Sequence, residues 1–444
     1  MTYEEFLASK RKPGELYGFK PVYTNDLAKP FQSHLCDWAI RKGHSALYED
    51  CGLGKTLQEL IWLENMKRKT NKSVLLLTPL AVSHQTVREG EKFGIECKRI
   101  RDGQLVKGIN VTNYEQLHKL DPDNYSAVAA DESQIIKHFD GKIRKLLTKF
   151  LSKINYRLLC TATPAPNDWI ELGTSCEALG VMGRMQMLGM FFSNGGDDVQ
   201  QWTLKPHAKR RYWQWVATWA RAIQKPSDIG FSDDGYKLPP LKTIQHVVKN
   251  TKATEGFFTA QAKTLDEQRQ ERKDTIVQRC EKVREVLPKK GQSLVWCHYN
   301  QEGDLLEKMI PDSVQVAGCN SDDEKEERLN AFTTGEIKTL ITKPKLGGLG
   351  MNWQNCSFMT FFPAHSFEQW YQCVRRCWRF GQQNPVTVAV VTSEAESRVI
   401  QNLDRKSRAA EEMFKGMVVA MNEAIGNKKS KETEMKSMEL PSWL

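Results

Sequence analysis

The amino-acid sequence predicts an α/β protein with two tandem domains, each built on a parallel sheet. Short apolar or β-branched runs alternate with amphipathic stretches, as strands joined by crossover helices do. The series of runs occurs twice, and a long charged helical stretch, 255 to 287, stands ahead of the second series. In order, a strand around Ala46 to Tyr48 is followed by runs at 74 to 78 (VLLLT), 109 to 112 (INVT), 127 to 130 (AVAA) and 157 to 160 (RLLC). The second series has runs at 293 to 297, 313 to 317, 338 to 342, 357 to 362 and 386 to 392. Between them, 173 to 240 differs in character. Gly195-Gly196, four tryptophans from Trp202 to Trp219 and Pro239-Pro240 mark an insertion or protrusion followed by a linker. The expected domains are therefore 1–172, the insertion 173–240, a second domain 241–425, and a polar, mobile tail 426–444 that ends in LPSWL.

Composition narrows the class. The 444 residues carry 64 Lys+Arg against 54 Asp+Glu, a net charge of +10 that makes a polyanion such as nucleic acid a plausible partner. The N-terminus lacks an apolar signal core, and the longest apolar run, Val74 to Val82, is interrupted by Thr78 and Pro79. Secretion and membrane spanning are not expected, and the location expected is cytoplasmic. Eleven scattered cysteines without a CxxC pair are read as reduced thiols rather than a disulfide or zinc framework. Cys373 and Cys377 have no nearby histidine pair to complete a metal site.

The strongest local signal is Gly52-Leu53-Gly54-Lys55-Thr56, between a strand and a helical LQELIWLENM. Glycines let backbone N–H groups close around phosphate, Lys55 adds charge at the β/γ-phosphates, and the Thr56 hydroxyl can ligate magnesium at a helix N-terminus. The strict phosphate-loop pattern wants glycine at position 49, where this chain has Glu49; alone, the run is also compatible with a capped glycine turn. Asp131-Glu132 closes the run AVAA. An aspartate at a strand's C-terminal end can hold magnesium, and the glutamate beside it can polarise an attacking water.

Together these residues resemble helicase superfamily two, and further motifs resemble its Swi/Snf branch of double-stranded DNA translocases, over about residues 28 to 410. The resemblance implies two RecA-like domains, ATP and Mg2+ as cofactors, and DNA as partner, with double strands favoured over single. Phe31-Gln32 followed by Trp38 is similar to the upstream glutamine motif, which implies that Gln32 reads the adenine edge. Leu77-Thr78-Pro79 and Val111-Thr112-Asn113-Tyr114-Glu115 resemble strand-end motifs that touch the nucleic-acid backbone, through Thr78, Pro79, Asn113 and Tyr114. Thr161-Ala162-Thr163-Pro164 resembles the third motif, whose hydroxyls link the magnesium-site carboxylates to the nucleic-acid side. Thr342-Lys343, expected on nucleic acid, and Gly347-Gly348-Leu349-Gly350-Met351-Asn352, with Gly350 expected at the nucleotide, are similar to the fifth motif. Gln372 to Gln382 aligns with QxxxRxxRxGQ of the sixth. There Gln372 is expected at the nucleotide, and Arg376 and Arg379 are expected on one helix face as arginine fingers.

Some positions depart from the family pattern. The second motif is DESQ, so the residue that connects to the third motif is Gln134, and the Phe361-Phe362-Pro363 run replaces a familiar aspartate. In the insertion, Lys205, Lys209, Arg210 and Arg211 surround Trp202, Trp213, Trp215 and Trp219, a mix that could track a backbone, while Trp215 and Trp219, one helical turn apart, are expected to pack on the domain. LPSWL is read either as a partner-binding peptide or as a tip folded back on its own domain. The function expected is an ATP-driven translocase on duplex DNA. The alternatives are a strand-separating DNA or RNA helicase and an ATP-gated binding module. The compact chain is similar to motors encoded by bacteriophages.

Overall fold

Two sheets with every strand pair parallel organise the chain. The computed structural model describes residues 16–138, 140–194, 202–249, 265–347, 351–362, 366–393 and 396–437. Gly195-Gly196, Gly350, Pro363 and the LPSWL tip lie outside the described residues. The chain divides into two units, Met1–Asp233 with Ala409–Leu444, and Asp234–Arg408.

The first unit contains, in order, α1 (Pro30–Lys42), β1 (His44–Glu49), α2 (Lys55–Thr70), β2 (Ser73–Thr78), α3 (Ser83–Lys92), β3 (Cys97–Arg99), β4 (Ile109–Asn113), β5 (Tyr125–Ala130), α4 (Lys142–Leu151), β6 (Tyr156–Thr161), α5 (Leu172–Leu179), α6 (Arg184–Phe191), β7 (Phe192–Asn194), β8 (Trp202–Leu204), α7 (Lys209–Val216) and β9 (Ala220–Ile223). Its seven-stranded sheet has the order β3-β4-β2-β5-β6-β1-β9, and β7 and β8 form a separate antiparallel pair. Strands covered on both faces read as continuous apolar runs, and Val74 to Leu77 of β2 are 0% exposed, as are Ala127 to Ala130 of β5.

The segment read as an insertion is partly sheet. Within it, β9 pairs in parallel with β1, Ala46 opposite Ala220 and Glu49 opposite Ile223. Trp213, Trp215 and Trp219 are buried, with Trp215 and Trp219 edge to face at 5.6 Å. Two cations of α7 are answered within the unit: Lys209 pairs with Glu412, and Arg210 Nη2 lies 3.4 Å from Glu423 Oε2.

The second unit contains β10 (Leu241–Val248), α8 (Leu265–Asp274), α9 (Ile276–Val286), β11 (Ser293–Trp296), α10 (Asn300–Met309), β12 (Ser313–Val316), α11 (Asp322–Thr334), β13 (Thr339–Thr342), α12 (Pro344–Gly347), β14 (Phe358–Phe361), α13 (Phe367–Cys377), β15 (Val386–Ser393) and the start of α14 (Ser397–Ser437). From Ala409 onward the residues group with the first unit. Sheet order is β10-β15-β14-β11-β13-β12. Alternate residues of β11 serve two cores. Leu294 and Trp296 pack with Trp353, Phe361 and Val388, while Val295 joins Ile341, Val391 and the α9 residues Cys280 and Val283. All eleven cysteines are free, ten buried and Cys319 exposed. Among the described residues, no helix is long and apolar enough to cross a membrane.

The second unit also buries an ion pair. Arg279 Nη2 lies 2.9 Å from Glu302 Oε1, each side chain 1% exposed, and the other Glu302 oxygen accepts from the backbone N–H groups of His298 and Tyr299 at 2.8 and 3.0 Å. The Arg279 guanidinium lies 4.7 Å from the centre of the Phe362 ring. Removing one partner of such a pair strands a buried charge. Glu302→Ala should therefore destabilise this unit by about 3–5 kcal/mol, measured as a shifted transition in urea unfolding.

Candidate nucleotide-binding site

Three strands of the first unit end side by side, and the turns that follow them carry the candidate chemistry. Neighbouring registers set Tyr48 of β1 opposite Thr161 of β6, and Leu159 of β6 opposite Ala130 of β5. Glu49, Thr161 and Asp131 therefore emerge along one edge, the carboxyl ends where α/β sheets bind ligands.

The turn after β1 needs glycine. Gly52 and Gly54 have φ of +92° and +84°, a region that disfavours any side chain. At Gly54 a Cβ would also sit 2.3 Å from Gln32 Nε2. Gln32 fastens this loop, because its Nε2 donates to the Leu53 carbonyl at 2.7 Å and its Oε1 accepts from Lys29 N at 2.8 Å. Lys55 opens α2, its Nζ donating to the carbonyls of Glu49 and Asp50 at 2.8 and 3.3 Å. Thr56 follows in the first turn, where unpaired N–H groups and the helix dipole favour an anion.

Acidic groups surround this lysine. Glu49 is 0% and Glu59 1% exposed, and Asp131 and Glu132 are buried. Glu49 Oε2 accepts from Gln58 Nε2 at 2.7 Å, and burial lifts its pKa to about 7 against the pull of Lys55 and Gln58. Burial, then Glu132, pushes Asp131 up as well, with Lys55 opposing. Glu59 is raised by burial and by Asp131. Burial works against the charge of Lys55, but attraction from Cys51, Glu132, Glu49 and Asp131 exceeds it and holds the ammonium above the ordinary lysine value. Glu59 escaped the sequence reading, although it stands four residues after Lys55 on the same helix face.

Glu132 sits in the left-handed region at φ +48°, and its Oε2 is buried without a hydrogen-bond partner. Asp131 Oδ1 accepts from Glu132 N at 2.8 Å. The donor set fits magnesium and a nucleotide phosphate: a glycine loop, an ammonium, a hydroxyl at a helix start, and two adjacent carboxylates of which one oxygen has no protein partner. Thr56 and Asp131 would hold the metal.

Gln134 joins the second motif to the third, since Thr161 Oγ1 donates to Gln134 Oε1 at 2.5 Å and accepts from Thr163 N at 3.0 Å. Thr163 enters through its backbone, and its own hydroxyl is buried without a partner.

Most of the residues expected at nucleic acid have buried side chains. Thr78 and Thr342 are 0% exposed, and Asn113 and Tyr114 are buried. The Asn113 side chain accepts from Gln116 N at 3.1 Å as a helix cap, and the Tyr114 hydroxyl donates to the Asp131 carbonyl at 2.5 Å. Thr342 Oγ1 donates to the Val316 carbonyl at 3.3 Å. Asn113 and Thr342 are thus taken up by nearby backbone, while Thr78 Oγ1 is buried without a hydrogen-bond partner. Pro79 and Lys343 remain partly exposed, the latter hydrogen-bonded to Asn300.

In the second unit α13 ends at Cys377, so Arg379 lies beyond the helix rather than on its face. The two arginines nevertheless meet. Arg376 Nη1 and Arg379 Nη1 donate to the Met351 carbonyl at 3.1 and 3.3 Å, and Arg376 Nε donates to the Gln372 carbonyl at 3.0 Å. Gln372 Nε2 is buried without a partner. Gln382 Nε2 ties the same loop down, donating to the carbonyls of Gln354 and Cys356 at 2.8 and 3.0 Å.

A family model, the helicase conserved C-terminal domain, matches residues 278–381. The chain is 26% identical over 197 residues to human Chromodomain-helicase-DNA-binding protein 1, covering 38% of this chain and 11% of that protein. It is 24% identical over 219 residues to TATA-binding protein-associated factor MOT1 of Saccharomyces cerevisiae, covering 41% of this chain and 12% of that protein. The chain thus spans a small part of the curated relatives it matches. Among solved structures, the Sulfolobus solfataricus SWI2/SNF2 ATPase core in complex with dsDNA aligns with a TM-score of 0.42 and 16% identity, over 92% of this chain and 96% of that one.

Two outcomes follow from this geometry. Tyr114→Phe removes one buried hydrogen bond and should cost about 0.5–1.5 kcal/mol of stability, seen in urea unfolding, while leaving nucleic-acid affinity unchanged in a fluorescence titration. The folded pKa of Glu49, about 7, lies above its ordinary 4.5. The stability from burying it protonated is complete below 4.5 and is lost as pH rises through about 7. Glu49→Gln should remove that loss, a slope of at most about 1.4 kcal/mol per pH unit, in unfolding curves compared at about pH 5 and about pH 8.

Proposed function

We propose that this chain is a member of the Swi/Snf-like branch of helicase superfamily two, a DNA-dependent ATPase whose two RecA-like domains translocate on double-stranded DNA, a reading supported by its match to the helicase conserved C-terminal domain and its similarity to Chromodomain-helicase-DNA-binding protein 1. The observation that carries the reading is Glu132 Oε2, a buried carboxylate oxygen without a hydrogen-bond partner, beside Asp131 and within the electrostatic reach of Lys55.

Magnesium ATP supplies the phosphoryl group and the counter-charge for its oxygens. Lys55 and the N-terminal turn of α2 bind and orient the phosphates, and Thr56 and Asp131 hold the metal. Glu132 orients a water and accepts its proton at Oε2. Arg376 and Arg379 stabilise the charge on the transferring group, with the Met351 carbonyl fixing both guanidinium groups before they act. The Thr161–Gln134 hydrogen bond makes the second and third motifs shift together, which supports coupling of turnover to grip. Phosphate contacts carry DNA affinity, so sequence preference is weak and salt sensitivity strong.

A second reading, a strand-separating helicase, draws on the antiparallel pair β7–β8, which stands apart from the two parallel sheets within 173–240. The phage-type role rests on motif wording and chain length alone.

Steady-state ATPase assays with no nucleic acid, single-stranded DNA, blunt duplex DNA and duplex RNA separate these readings. Duplex DNA should stimulate most; preference for single strands or RNA would favour strand separation. Lys55→Ala should abolish turnover, and Glu132→Gln should retain ATP binding while blocking hydrolysis. Arg379→Ala should lower kcat by roughly a thousandfold with little change in nucleotide affinity. Normal turnover in the Glu132 variant would remove its assigned role.

A further inference from the structure

Helix α4 presents a face that the motor motifs do not use. From Lys142 to Lys153 the sequence KIRKLLTKFLSK holds five cations and no acid. Arg144, Leu147, Phe150 and Leu151 are buried, and Arg144 Nη1 pairs with Glu177 Oε2 at 2.6 Å. Lys142, Lys145, Lys149 and Lys153 are all exposed, and among the described residues no ion pair reaches any of them.

The placement is costly to the helix itself. Gly141 provides no side-chain cap, and the first turn contains no acid. Lys142 and Lys145 therefore stand at the positive end of the helix dipole, which favours anions. Spacings of three and four residues stack Lys142, Lys145 and Lys149 along one side of the helix, where like charges repel, and Lys153 follows in the turn beyond it. On other helices of this unit, Lys67 and Arg68 of α2 pair with Glu64, and Lys209 and Arg210 of α7 with Glu412 and Glu423. The α4 lysines have no such partners, and an external polyanion would relieve their repulsion.

We infer that the exposed lysines of α4 form a second nucleic-acid contact, separate from the motif residues, that grips the phosphate backbone of duplex DNA. From Lys142 to Lys149 the helix rises about 10 Å, comparable with two or three phosphates of one strand at about 3.4 Å of axial rise each. Flexible ammonium groups act as point charges, so the contact reads charge and not sequence. The choice of DNA rests on the function proposed above; the unpartnered charge does not.

The test is the salt dependence of binding to a labelled blunt duplex by the full chain, wild type against the triple variant Lys142→Gln, Lys145→Gln, Lys149→Gln. Each phosphate contact contributes about 0.9 to the slope of log K against log salt, so the variant's slope should be shallower by about 2 to 3. ATPase activity without DNA should be unchanged, and the triple arginine variant should keep the wild-type slope. An unchanged slope in the glutamine variant overturns the inference, as does a loss of polyglutamate binding with DNA binding intact. If wild-type ATPase ignores DNA while the slope still falls, the motor reading fails and the contact stands. If ATPase is stimulated and the slope does not change, the contact fails alone.

Discussion

The first unit is arranged around an electrostatic constraint. Lys55 shares a small volume with Glu49, Glu59, Asp131 and Glu132, and a low-dielectric interior does not tolerate that much like charge unless protons, a cation or a ligand balance it. Its ammonium is already committed to two backbone carbonyls. Burial pushes Glu49, Glu59 and Asp131 toward their protonated forms, Glu49 to about 7. A bound divalent cation would change that balance at once, because it favours the ionised forms that burial disfavours. The sheet serves this arrangement by ending β1, β6 and β5 next to one another, and the glycine turn serves it by letting α2 begin where the carboxylates are.

What the sequence could show divides along physical lines. Central strands such as β2 and β5 are buried on both faces, so their apolar runs announce them. The short edge strands β3 and β9 do not, and β10 is half exposed, with a mixed LKTIQHVV sequence that gives no apolar run although it pairs with β15 along its whole length. Glycine turns are legible because only glycine meets their backbone demand, and Asp131-Glu132 because two acids at the end of a buried strand need a reason. Side-chain direction is not legible in the same way. Thr78, Tyr114 and Thr342 stand in the right places along the chain, yet their hydroxyls face inward. Glu59 is the reverse case: an acid within a helix ordinarily belongs to a solvated face, and only the neighbouring strands reveal that this one is enclosed.

The second unit treats its arginines differently. Two guanidinium groups that share one carbonyl lose much of the freedom that long side chains have in water, so their positions are set by the loop carrying Met351 as much as by α13. Gln382 holds that loop through two further carbonyls, and Trp353 N donates to the Arg376 carbonyl at 3.0 Å. The fifth and sixth motifs are thus one rigid piece, and a change in either is felt by both. Arg375, outside the motif pattern, lies beneath this piece with its guanidinium 5.0 Å from the Trp378 ring centre and 5.4 Å from that of Phe380, packing the turn that carries Arg379.

The distribution of thiols gives the folded chain a built-in gauge. With ten of eleven cysteines buried, Cys319 is the position that a water-borne maleimide can reach. A dye therefore attaches to the native protein at a single place, in the second unit, without any engineered substitution. As either unit opens, new sulfurs become reactive in sets that belong to it: Cys36, Cys51, Cys97, Cys160 and Cys176 for the first, Cys280, Cys297, Cys356, Cys373 and Cys377 for the second. Mass spectrometry of alkylated peptides would then record the two units loosening separately, in the same sample.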